Sequence, residues 1–116
     1  MKIMTYQKVQ PTCFDSEQVK GVQGRILIGK DDGAPNFCMR LFQVETGGYT
    51  PRHRHAWEHE VFVHGGSGAV LRDGEWVPVQ AGSTVYVAPD EDHQFKNTGE
   101  GPLLFVCVIP AYAPEL

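Results

Sequence analysis

The sequence predicts an all-β protein, a sandwich or barrel of short strands. Two observations carry that expectation. Short runs rich in β-branched and aromatic residues recur at regular spacing, and turn-forming clusters separate them. No stretch has enough apolar positions at helical spacing to define a long helix.

Taken in order, the runs are RILI (25–28), FCMRLFQV (37–44), EVFVH (60–64), AVLR (69–72), EWVPV (75–79), TVYVA (84–88), QFKN (94–97) and LLFVCVI (103–109). The turn signals between them include GKDDG (29–33), GGSG (65–68), Ala81–Gly82, Pro89–Asp92 and Thr98–Pro102. Asp73–Gly74, between AVLR and EWVPV, predicts a tight hairpin. Only FDSEQVKG (14–21) could hold a helical turn, and it has too few apolar positions to define a long helix. In LLFVCVI, Leu103, Phe105, Cys107 and Ile109 share one side, and Leu104, Val106 and Val108 share the other. A strand with no polar face needs cover on both sides. A barrel interior supplies one cover; a second sheet or a partner subunit supplies the other, so a homodimer is expected.

The 116 residues suit one domain, 1–116, with a single core. An apolar share of 41% is ordinary for a globular protein. The formal charge of −4, without a lysine run or basic stripe, argues against nucleic acid as a partner. MKIMTYQKVQ lacks the apolar run of a signal peptide, and no later stretch is long enough to span a bilayer. Cys13, Cys38 and Cys107 are odd in number and widely spaced, with no C-x-x-C pair. Reduced thiols in a cytoplasm fit this better than a disulfide framework or a thiolate zinc site.

Three of the five histidines fall in PRHRHAWEHEV (51–61). Side chains alternate faces along a strand, so His53 and His55 point the same way if they share one. His59 keeps the same parity after a short irregular stretch. His93, in APDEDHQFKN, is a fourth candidate. Four imidazoles make a neutral ligand set suited to Zn, Cu, Fe or Ni, whereas Mn usually prefers oxygen donors. His64 has the opposite parity from His59 and is expected at an exposed turn. Glu58 is a candidate to orient a ligand imidazole.

The stretch G47-GYTPR-H53-R-H55-AWE-H59 resembles the first motif of the cupin superfamily, and G82-STVYVA-P89-DED-H93-QFK-N97 resembles the second. The motifs span about 47–68 and 82–97, and the resemblance covers about 37–109. It implies a double-stranded β-helix, the jelly-roll barrel. WEHEVFV and the run from Pro89 to Asn97 resemble small single-domain bacterial cupins with four histidine ligands and manganese. Where the usual pattern has a ligand glutamate, this chain has His59, with Glu60 one residue further. The resemblance therefore implies the set His53, His55, His59 and His93, with Glu60 as the alternative to His59. Mn or Fe is the expected ion, with Zn, Ni and Cu as the others to consider. If His59 faces in, Glu60 faces out.

If His93 points inward, Phe95 does too. Phe105, Cys107 and Ile109 share the face expected to wall an apolar pocket or, equally, to pack the core. Arg40 interrupts an apolar strand and needs a partner or a purpose: an anionic group of a substrate, or a glutamate. Trp57 is placed to cap the pocket mouth. The resemblance implies an oxygenase or oxidoreductase acting on a small apolar or aromatic compound such as an alkene. Two other classes compete, an isomerase or lyase of small sugars or acids, which needs a positioned base, and a non-catalytic small-molecule barrel.

Overall fold

The computed structural model describes residues 1–116. Nine strands form one curled antiparallel sheet, a jelly roll: β1 (Thr12–Phe14), β2 (Lys20–Ile28), β3 (Phe37–Tyr49), β4 (His59–Gly65), β5 (Ser67–Arg72), β6 (Glu75–Gln80), β7 (Thr84–Val87), β8 (Phe95–Asn97) and β9 (Leu103–Pro110). The strand order is β6-β5-β8-β3-β9-β4-β7, with β2 on β3 and β1 on β2. The long β3 makes the sheet curl. It pairs with β2 and β9 along most of its length, and at its end Tyr49 pairs with Lys96 of β8.

Alternation sets the inside. On β4, His59, Val61 and Val63 are buried while Glu60, Phe62 and His64 are exposed. On β9, Leu103, Phe105, Cys107 and Ile109 are buried, and Leu104, Val106 and Val108 are half-buried on the other side. The core joins these to Val22 of β2, Cys38 and Val44 of β3, Val70 of β5 and Phe95 of β8.

The turns follow their chemistry. Asp73 and Gly74 both have positive φ (51° and 77°), and Arg72 pairs with Glu75 across them. That is the twist-matched two-residue hairpin. Gly66 alone separates β4 from β5, at φ 83°, and a Cβ there would overlap the Pro102 carbonyl. Asn97 is buried and donates to the carbonyls of Val44 and Gly101, while its side-chain oxygen accepts from Gly99 N–H. It closes the turn between β8 and β9.

Two expectations need correction. Residues 14–21 hold no helical turn: Phe14 ends β1, a bend follows, and Lys20 opens β2. Pairing of β1 with β2 and of β2 with β3 outweighs any local helical preference of so short a polar stretch. The helical turns present are 3-10 turns at Tyr6–Lys8 and Lys30–Asp32. His64 lies within β4 rather than in a turn, exposed as expected, with its ring 6.1 Å from that of Tyr6. No helix is long and apolar enough to cross a membrane.

Candidate metal centre

Four imidazoles converge at one end of the barrel interior. His59 opens β4 facing inward, and His93 precedes β8; they are 7% and 3% exposed. His53 and His55 do not share a strand. His53 forms a single backbone bridge with His93, donating to its carbonyl at 3.1 Å and accepting at 3.0 Å. His55 lies in the loop that follows. The bridge, not strand alternation, brings the first group to His93. Ring centroids are 4.4 Å apart for His53–His55, 4.7 Å for His53–His93, 4.5 Å for His55–His59 and 5.1 Å for His59–His93.

His53, His55 and His93 each offer a ring nitrogen, all within 4.8 Å of one another, a group that can hold a metal ion. His59 adjoins them: its Nε2 is 3.1 Å from His55 Nδ1. Two nitrogens bound at about 2.1 Å at right angles to one ion stand about 3 Å apart, so this spacing fits a shared ion. Neighbours orient two of the rings. His93 Nδ1 lies 2.8 Å from the Glu91 carbonyl, which only accepts, so Nδ1 carries the proton and Nε2 the free lone pair. His59 Nδ1 lies 2.9 Å from Cys107 Sγ, which leaves Nε2 to face His55.

Three of the donors are biased towards the neutral form. Burial, then Arg40 and the other histidines, pushes His59 down to about 3. Although His53 keeps an exposed edge at the barrel mouth, desolvation of its ring and then His93 and His55 push it down to about 4. His55 is lowered by burial and then by His93. Neutral imidazole is the form that binds metal, so the donor set fits a divalent transition ion.

A cavity of about 180 Å³ opens beside the histidines. Phe42, Phe95 and Phe105 wall it, together with Val22, Val61 and Leu116. The rings of Phe95 and Phe105 stack at 4.6 Å. Arg40 and Cys107 also line it. Ile109 does not: it shares a face with Phe105 and Cys107 but lies further along β9, fully buried in the core. Trp57 does not line the cavity either. It stacks on the outer side of His55, 4.6 Å between centroids and 8° from parallel, and so fixes that ring. Glu60 is exposed on the outer face, where a hydrogen bond with Glu58 raises its carboxyl to about 7. Neither glutamate lines the cavity.

Sequence reasoning missed Phe42 and the Glu91 carbonyl. Phe42 was within reach, because it has the parity of Arg40. The Glu91 contact is a backbone one and leaves no residue-type signal.

The family profile described as the cupin domain matches residues 40–109, more than half of the chain. Over 94 residues, 71% of this chain, it is 34% identical to a glucose-6-phosphate isomerase of Thermococcus onnurineus. The chain spans half of that protein's length, and less of some of the other isomerases it matches. Among solved structures, the polyketide cyclase RemF from Streptomyces resistomycificus superposes with a TM-score of 0.91 at 30% identity, covering 98% of this chain and 82% of RemF. A cupin 2 domain-containing protein from Halorhodospira halophila superposes with a TM-score of 0.74 at 37% identity, covering 78% and 65%.

Proposed function

This chain belongs to the cupin domain family, and from that footing we infer that it is a metal-dependent oxidoreductase of the oxygenase type, acting on a small aromatic or otherwise apolar compound such as an aryl-alkene. One observation carries the reading: the histidine cluster sits at the edge of a cavity walled by phenyl rings and lined by no Asp or Glu side chain. His53, His55, His59 and His93 hold one divalent ion, Mn or Fe before Zn, Ni or Cu. A redox-capable ion held by four neutral side chains supplies the open coordination positions that oxygen activation requires. The chain's own residues do the rest. The Glu91 carbonyl and Cys107 orient two of the imidazoles, and Trp57 fixes a third. Phe42, Phe95 and Phe105 hold the apolar body and keep water out.

A second reading has a specific observation in its favour. RemF, so similar along nearly the whole chain, is named a polyketide cyclase, and non-oxidative ring closure of an aromatic precursor suits the same apolar walls. Sugar isomerisation suits them less. Each sugar hydroxyl buried without a partner costs about 1–3 kcal/mol, and the cavity offers no Asp or Glu side chain as a base. We further propose that residues 1–116 act as one domain, that the chain works as a homodimer through the outer face of β4, β7 and β9, and that its three free thiols suit the cytoplasm.

The test is turnover of an aryl-alkene by protein loaded with Mn, Fe or Zn, with and without dioxygen or peroxide. The reading expects turnover with Mn or Fe and an oxidant, and none with Zn, which has no redox chemistry. Conversion by the zinc form without oxidant points to the second reading. Tight binding of the alkene without turnover on any metal reduces the protein to a binding barrel.

A further inference from the structure

Arg40 is the permanent cation of the cavity, and no carboxylate lies within ion-pair distance of its guanidinium. It stands on the inward face of β3, 7% exposed, with its guanidinium 4.9 Å from the Phe42 ring. Its polar neighbours are all uncharged groups. Nη1 donates to the Glu115 carbonyl at 3.2 Å, and Nη2 donates to Cys107 Sγ at 3.1 Å. Nη2 also lies 3.4 Å from His59 Nδ1. Nε is buried and has no hydrogen-bond partner. The ion pairs of the chain, Lys2–Asp32 and Arg52–Asp92, lie elsewhere on more exposed side chains. The Glu115 carboxylate is engaged by the backbone N–H of Lys30.

A buried charge persists when it is paired and hydrogen-bonded. Here Nε has no hydrogen-bond partner, no carboxylate lies within ion-pair distance of the guanidinium, and no Asp or Glu side chain lines the cavity. A divalent ion held by neutral imidazoles adds to the positive charge. What the cavity lacks is one anion, and what it otherwise offers is phenyl and aliphatic wall. The guanidinium edge matches a carboxylate in shape and charge.

We propose that Arg40 is a substrate-binding residue and that the compound taken by this barrel is an aromatic or alkenyl carboxylate, its apolar body against Phe42, Phe95 and Phe105 and its carboxylate on Arg40. This rests on the reading of the cavity as a site for an apolar small molecule and narrows it to an anionic one. It also gives the lone interior arginine a purpose that packing does not, since a methionine fills the same space without burying a charge.

The probes are trans-cinnamate, ionised at pH 7, and its neutral isostere cinnamamide. Their affinities are measured by calorimetry on zinc-loaded and on chelator-treated protein, for the native chain, Arg40→Met and Arg40→Lys. The expected result is cinnamate binding about tenfold or more tighter than cinnamamide to the native chain, the range of one charge-assisted contact. That preference persists without metal, is lost in Arg40→Met and is partly kept in Arg40→Lys, while all three proteins bind zinc. The native comparison stands even if a variant misfolds. Equal affinities for the two probes overturn the assignment while leaving the apolar site intact. A preference present only with zinc assigns the anion to the ion and overturns it too. Binding of neither probe contradicts the apolar-substrate reading itself.

Discussion

The Nδ1 of His59 lies 2.9 Å from the Sγ of Cys107, so that β4 and β9 meet in one buried polar contact beside the cavity. Arg40, which can only donate, approaches the same sulfur at 3.1 Å. Burial raises the Cys107 thiol against the pull of Arg40, and the sulfur accepts from the Arg40 guanidinium. The contact holds the His59 ring with its Nε2 towards His55.

Cys107→Ala removes that acceptor and leaves the His59 ring free to turn. Metal affinity, measured by competition with a chromophoric chelator, is expected to fall about tenfold, as for other partners that orient ligands. Cys107→Ser keeps an acceptor and is expected to stay nearer the native value. An Ala variant that binds like the native chain removes Cys107 from the centre.

The metal-free protein is expected to lose stability in acid through its histidines. His59 and His53 are pushed from an ordinary 6.5 down to about 3 and about 4, in both cases first by burial. Between those values and about 6.5 the unfolded chain binds more protons than the folded one, so stability rises with pH across that window. The contribution is complete above about 6.5 and drains away as the pH falls towards 4. Melting temperatures of chelator-treated protein from pH 7 to 4.5 check this. His59→Gln is expected to flatten the slope, and a slope unchanged by that substitution removes His59 as a source.

Leu103 is fully buried, at 0% exposure, where β9 meets β3. Leu103→Ala is expected to cost about 2–5 kcal/mol in urea unfolding, the range for a core leucine that leaves a cavity. A cost well below 1 kcal/mol would mean that the barrel is loosely packed at that end.

The outer face of β4, β9 and β7 carries Phe62 and Tyr86, 49% and 61% exposed, beside half-buried Val106 and Val108. Light scattering on eluting protein is expected to give a dimer for the native chain and a monomer for Phe62→Asp with Tyr86→Asp. A native chain that elutes as a monomer at high concentration sinks the proposed homodimer.

Most strands were legible because β-branched runs and turn residues are local signals. RILI, FCMRLFQV and LLFVCVI all fall within strands. Parity also placed Glu60 outside once His59 was taken as inward. What failed depends on partners distant in sequence. The bend after Phe14 follows from pairing of β1 and β2, which no local pattern encodes. The strand expected to hold both His53 and His55 does not form, and the bridge from His53 to His93 groups them instead. Ile109 was read from parity alone, which gives the face but not the position along the barrel axis.

In the proposed metal centre His59, not Glu60, joins His53, His55 and His93. That assignment is tested most directly by the stoichiometry and affinity of Mn and Zn binding to His59→Ala and Glu60→Gln, measured side by side with the native chain. The expected result is one ion per chain for native and Glu60→Gln protein with closely similar affinities, and a loss of about a hundredfold or more for His59→Ala, as for removal of a direct ligand rather than its supporting partner. A His59→Ala chain that keeps the ion, beside a Glu60→Gln chain that loses it, would make Glu60 the ligand instead.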